Sequence, residues 1–176
     1  MAQKLILPIN KTRITAGYKN TNYRKEFGYN HYGVDYTDQQ KSDKTVWGSG
    51  DGVITHVGWS NSCGNVICAV YKNCQLTNGQ VKDLTIRYYH LEKIYVKAGD
   101  KITKDTRLGL YGNTGASTGD HLHLEIDTDT KYPNYTPQIG KNSGVLKSGT
   151  DSTINPTLAL YVKATADGDE LEESYE

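Results

Sequence analysis

Residues 119–126, GDHLHLEI, decide how this chain is read. The stretch alternates: His121, His123 and Glu125 share one parity, and Leu122, Leu124 and Ile126 share the other. Side chains point to opposite faces along a β-strand, so one face here is apolar and the other carries two imidazoles and a carboxylate. Same-face neighbours stand about 6.6–7 Å apart along the backbone, a gap that imidazole side chains can close. The pair is compatible with two ligands of one metal ion, with one ligand beside one catalytic group, or with two surface histidines. Parity alone does not choose.

The β pattern continues outward from this strand. GVITHVGW (52–59), NVICAVY (65–71), LTIRYYH (84–90) and EKIYVKA (92–98) are β-branched or aromatic, with Gly, Asn and Asp between them. Residues 96–115 have hairpin-like spacing: a turn at Gly99–Asp100, a short strand, a second turn, then Arg107–Tyr111. Gly112, Gly115 and Gly119 mark a loop that needs positive φ or close backbone approach and leads into the histidine strand. No stretch has the pattern of a capped amphipathic helix. A short helical turn is expected near Pro156–Tyr161, with Asn155 as its cap and Pro156 at its first position. The fold class expected is all-β, built on antiparallel sheets. Residues 127–153 read as a long surface loop with room for a small hairpin. Residues 1–163 are expected to form a single domain, followed by an acidic, disordered tail over 164–176.

The totals restrict the partners. The 20 basic and 20 acidic residues cancel, which removes the electrostatic case for nucleic acid or an anionic membrane. No apolar run approaches the roughly 18 residues that span a bilayer, so no membrane insertion is expected. The apolar patch Leu5–Pro8 is too short for a secretory signal, so the chain is expected to be made in the cytoplasm. Cys63, Cys68 and Cys74 form no C-x-x-C pair and read as thiols, Cys68 as a small buried strand residue and the others flanking a loop.

Three further histidines complete the polar inventory. His31 opens HYGVD (31–35); fully extended, this piece would hold His31 and Asp35 about 13 Å apart, too far for one ion, but Gly33 permits a bend. His90 ends LTIRYYH in the parity of Tyr88 and Ile86, and His56 lies within GVITHVGW, where a strand-surface role is expected. Imidazole with carboxylate suits zinc, which in catalytic sites keeps one position open beside three protein ligands. There is no H-E-x-x-H, so a proton acceptor would be a histidine, or else Glu125 or Asp120.

HYGVD, RYYHLEKIYVKAGDKI and GNTGASTGDHLHLEI, in that order, resemble the lysostaphin/LytM-type zinc metalloendopeptidases, peptidoglycan hydrolases of the duplicated hybrid motif fold. The likeness runs from about Ile14 to Tyr161 and includes DGVI and the Asn155–Pro156 pair. It implies that His31, Asp35 and His123 hold one zinc ion, that His121 and His90 are catalytic, and that antiparallel sheets form an open groove. It implies a zinc metalloendopeptidase that hydrolyses cross-bridge or stem peptides of bacterial peptidoglycan. A phage or prophage lytic enzyme, an endolysin, is the setting expected first. It would act at the bacterial cell wall as a monomer, delivered in a virion or released by a holin-type partner, and a bacterial wall-remodelling enzyme comes second. The alternative is a non-catalytic relative of the same fold, serving as a phage tail component or as a wall-binding or activator domain.

Three departures bear on substrate preference. Leu124 stands where the family usually has phenylalanine, Trp47 replaces a smaller or tyrosine side chain, and Lys72–Lys82 is an inserted tip. Of the 14 tyrosines, Tyr36, Tyr88 and Tyr111 are the first candidates to line a groove. Asn113 and Thr114 could touch substrate backbone, although a turn role suits them better. Glu125 could orient a ligand or form a packing or surface salt bridge, and Asp120 could stabilise its turn.

Overall fold

The computed structural model describes residues 1–27, 30–131 and 151–162. In chain order it contains β1 (Leu5–Ile6), β2 (Thr12–Ala16), α1 (Thr21–Phe27), β3 (Val34–Asp38), β4 (Thr45–Trp47), β5 (Gly52–Ser60), β6 (Gly64–Gln75), β7 (Val81–Ile94), β8 (Lys101–Ile102), β9 (Arg107–Tyr111), β10 (Leu122–Asp127), β11 (Thr153–Ile154), a 3₁₀ turn (Pro156–Leu158) and β12 (Leu160–Tyr161). The main sheet runs β2-β3-β10-β7-β6-β5-β8, each neighbouring pair antiparallel. β11 joins β10, and β4 pairs with β9, which also pairs with β7. β1 and β12 pair in parallel. The expected all-β antiparallel class is the one observed.

Register sorts the side chains into two faces. Opposed residues in a ladder share a face. Leu124 lies between Val34 and Tyr88, and Tyr88 is opposed in turn by Ile67. Ile126 faces Ile86, which faces Ala69. All of these side chains belong to one buried cluster. Each large aliphatic member contributes about 1.5–3 kcal/mol by leaving water. The other face carries Asp35, His123 and Tyr89 in one row and Glu125, Arg87, Cys68 and His56 in the next. The alternation of β10 thus separates a core from a polar site.

β7 changes partners midway. Tyr89 is its last residue opposite β10, and Leu91 its first opposite β9. On the β6 side, Tyr88 to Leu91 is opposed by the shorter step from Ile67 to Asn65, so one residue is extra. This bulge falls at His90, whose φ is 63°. A left-handed histidine costs about 1–2 kcal/mol and persists only where its surroundings hold it.

Several local expectations are corrected. The strand expected over 92–98 ends at Ile94 and is continuous with the 84–90 segment. α1 has no buried residue, so it carries no apolar periodicity. It does have a cap: Asn20 Oδ1 accepts the backbone N–H groups of Asn22 and Tyr23 at 2.9 and 3.1 Å. The turn at Pro156 is capped by Asn155 as expected but ends at Leu158, because Leu160–Tyr161 returns to strand. All three cysteines are free thiols; Cys68 and Cys74 are both buried, and Cys74 lies within β6 rather than beside a loop. Most of the loop expected over 127–153, and the tail over 164–176, lie outside the described residues.

Candidate metal centre

Three side chains converge where β3 meets β10. His31 lies before β3, and the chain bends at Gly33, so His31 and Asp35 are not extended apart. Asp35 and His123 are directly opposed in the ladder. His31 Nε2 is 3.1 Å from Asp35 Oδ1 and 3.1 Å from His123 Nδ1, and His123 Nδ1 is 2.9 Å from Asp35 Oδ1. Gly33 makes the approach possible for a steric reason: a Cβ there would sit 2.3 Å from the Leu124 carbonyl oxygen.

The outer nitrogens settle which atoms point inward. His31 Nδ1 is 2.8 Å from the Gly17 carbonyl oxygen, which can only accept, so Nδ1 carries the hydrogen. His123 Nε2 donates to Glu125 Oε2 at 2.9 Å. Both imidazoles therefore turn a lone pair toward the Asp35 carboxylate. Two lone pairs and an anion about 3 Å apart repel unless a cation lies among them. Tetrahedral bonds of about 2.0–2.1 Å to nitrogen and carboxylate oxygen give ligand separations near 3.3 Å, close to those seen. His31, Asp35 and His123 fit a metal ion and could hold one.

Charge follows the same geometry. Burial works to raise the Asp35 pKa, but the imidazoles of His123 and His31 beside it outweigh burial and hold the carboxyl well below the usual range. Burial works to lower the His123 pKa, yet hydrogen bonds to Asp35 and Glu125 raise it to about 10. In the ion-free chain a proton occupies the place a cation would take.

Two more imidazoles flank this triangle. His121 Nδ1 donates to the Gly119 carbonyl at 2.8 Å, and its Nε2 lies 3.6 Å from Asp35 Oδ1. His90 Nδ1 donates to the Thr114 carbonyl at 2.7 Å. The His90 ring centroid is 4.9 Å from that of His121 and 6.0 Å from that of His123. Strand parity would send His90 to the core with Tyr88; the bulge turns it to the site. Burial pushes the His90 pKa down to about 4, and the charges of His123 and His121 add to this against the Thr114 hydrogen bond. His90 is neutral near pH 7, with Nε2 able to accept a proton.

All five proposed site residues therefore lie together. Glu125 is buried and orients His123 rather than forming a surface pair. Tyr36, Tyr88 and Tyr111 do not line a groove: they are 0%, 0% and 1% exposed in the core, Tyr36 opposite Leu122, Tyr88 opposite Leu124 and Tyr111 opposite Leu91. Thr114 has a structural role, donating to the Leu91 carbonyl at 2.9 Å and accepting from Asn65 N–H at 3.2 Å. Asp120 pairs with Lys44 at 3.0 Å, and His56 is half-buried on β5. Tyr23 and Tyr89 went unnoticed in the sequence, yet each stacks on an imidazole: Tyr23 on His31 at 4.5 Å and 28°, Tyr89 on His123 at 5.1 Å and 16°. Arg87 was missed as well: its parity with Tyr89 can be read in LTIRYYH, but the carboxylates it meets lie on a distant strand.

Known proteins share this arrangement of sequence. The model of peptidase family M23 matches residues 29–135, a span that contains all five residues. Peptidoglycan DD-endopeptidase ShyA of Vibrio cholerae is 38% identical over 96 residues, which are 54% of this chain and 20% of that protein. Glycyl-glycine endopeptidase ALE-1 of Staphylococcus capitis is 32% identical over 148 residues, 76% of this chain and 38% of that protein. The chain thus spans well under half the length of these relatives. The solved catalytic domain of the antimicrobial peptidase lysostaphin from Staphylococcus simulans is 27% identical with a TM-score of 0.51, covering 74% of this chain and 78% of that one.

Proposed function

The chain belongs to peptidase family M23, and from that premise we propose that it is a zinc-dependent endopeptidase cleaving cross-bridge or stem peptides of bacterial peptidoglycan. The observation that carries the reading is the triangle of His31 Nε2, Asp35 Oδ1 and His123 Nδ1, whose tautomers and spacing suit one ion. The relatives named for glycyl-glycine and peptidoglycan peptide bonds support the substrate class.

His31, Asp35 and His123 would hold the zinc. The chemistry such an ion supplies is that of a Lewis acid, polarising a carbonyl and lowering the pKa of water. The remaining work falls to side chains. His90, neutral and anchored through Nδ1, takes a proton at Nε2 as water attacks the scissile carbonyl. The proton His90 has taken then passes to the leaving amine, while His121, anchored on Gly119 through Nδ1, presents Nε2 beside Asp35, where its doubly protonated form hydrogen-bonds the developing oxyanion.

Incubating the purified protein with peptidoglycans of several chemotypes, and identifying the fragments by mass spectrometry, tests this. The parent is expected to release peptide fragments from at least one wall. His123→Ala is expected to lose both metal and cleavage, and His121→Ala to keep metal and lose cleavage. A zinc-loaded parent that cuts no wall, or variants that digest like the parent, would contradict the proposal.

A further inference from the structure

Behind the triangle lies a buried charge cluster on β7 and β10. Arg87 is fully buried on β7. Its Nε donates to Glu125 Oε1 at 3.1 Å and its Nη2 to Asp127 Oδ2 at 2.8 Å. Glu125 and Asp127 are 4% and 1% exposed. The Tyr89 hydroxyl also donates to Glu125 Oε1, at 3.1 Å, leaving Oε2 to accept from His123 Nε2. The ladder enforces these meetings: Arg87 opposes Glu125, and Asp127 is the next residue along that face.

Such a cluster is a poor investment in stability alone, since apolar side chains of similar volume often serve as well. Its geometry has a direction. It ends on the outer nitrogen of His123, where a carboxylate fixes ring orientation and raises ligand basicity. The charges also balance only with the centre occupied: Asp35, Glu125 and Asp127 are three anions, Arg87 is one cation, and a divalent ion makes the sum zero.

We propose that Arg87 is a positioning residue of the metal centre. Clamped between Asp127 and Glu125, it holds the Glu125 carboxylate where that group keeps His123 Nδ1 turned toward His31 and Asp35. The inference rests on the reading of His31, Asp35 and His123 as zinc ligands.

The test is the zinc affinity of the full chain, by competition with a chromophoric chelator, together with the visible spectrum of the cobalt(II)-loaded protein. Arg87→Lys keeps the charge and loses the fork that reaches both carboxylates. It is expected to weaken zinc binding about 10–100-fold and to alter the cobalt bands, at a temperature where circular dichroism shows it folded. Glu125→Gln is expected to act in the same direction, and the double variant to be no weaker than the weaker single one, since both interrupt one chain of contacts. Should Arg87→Lys not fold, Asp127→Asn, which withdraws the guanidinium's second anchor, carries the same expectation. Parental affinity and spectrum in a folded variant, or additive losses, overturn the inference. A parent that binds no zinc instead sinks the metal-centre reading itself, an outcome distinct from a zinc-binding parent matched by Arg87→Lys.

Discussion

His90 combines a left-handed backbone, an anchored Nδ1 and a pKa held down to about 4 by burial and by its histidine neighbours. Its ordinary value is 6.5, so between pH 6.5 and 4 the unfolded chain takes up a proton there and the folded chain does not. The stability associated with His90 is therefore present above pH 6.5 and lost as pH falls toward 4. Asn tolerates the left-handed region and cannot titrate. Urea melts of His90→Asn are expected to show a shallower loss of stability than the parent over that window, with wall cleavage abolished at every pH. A variant as acid-sensitive as the parent would show that His90 is not the depressed group. His90→Ala is expected to be about 1 kcal/mol less stable than His90→Asn near pH 7, because alanine suits that φ poorly.

Among the elements, β10 was legible and β7 was not. The alternation of His121, His123 and Glu125 against Leu122, Leu124 and Ile126 needed only the two-residue period of a strand. β7 breaks that period: an extra residue at His90 re-aims one side chain, and sequence alone does not locate a bulge. Tyr36, Tyr88 and Tyr111, expected as groove candidates from residue type alone, are core residues, because tyrosine suits a buried face as well as a groove. α1 escaped notice because it buries nothing, although Asn20 is an ordinary cap signal. Asn20→Ala is expected to speed amide exchange across 21–27 while leaving the global melt within about 1 kcal/mol. The β3–β10 seam is more exacting. Gly33→Ala is expected to cost about 1–3 kcal/mol in denaturant melts and to weaken zinc binding, since the new methyl group meets the Leu124 carbonyl and spreads Asp35 from His123. Parental stability and affinity in that variant would show that the seam yields without moving the ligands.

At the scale of the molecule, an ion held by the triangle would link metal binding to folding. The triangle joins the segment before β3 to β10, so an ion bound only by the folded chain stabilises the whole sheet, by about 2.7 kcal/mol at one hundred times Kd. Protons oppose it. In the ion-free chain His123 is held up to about 10 from 6.5, so its contribution to that fold is complete below pH 6.5 and fades as pH rises through about 10. Zinc bound at the triangle would take the same lone pair, and calorimetry in buffers of different ionisation enthalpy is expected to show about one proton released per ion near pH 7, with affinity rising with pH. The ligand residues could be named from motif order, but their support could not. Arg87, Tyr89 and Asp127 reach the centre only through contacts between distant strands, and nothing in their spacing announces this. The most direct measurement of the central claim is diffraction from zinc-soaked crystals at energies above and below the zinc absorption edge. The account expects one anomalous peak about 2.0–2.1 Å from His31 Nε2, Asp35 Oδ1 and His123 Nδ1. A strong zinc peak elsewhere, with none among these three atoms, would contradict it.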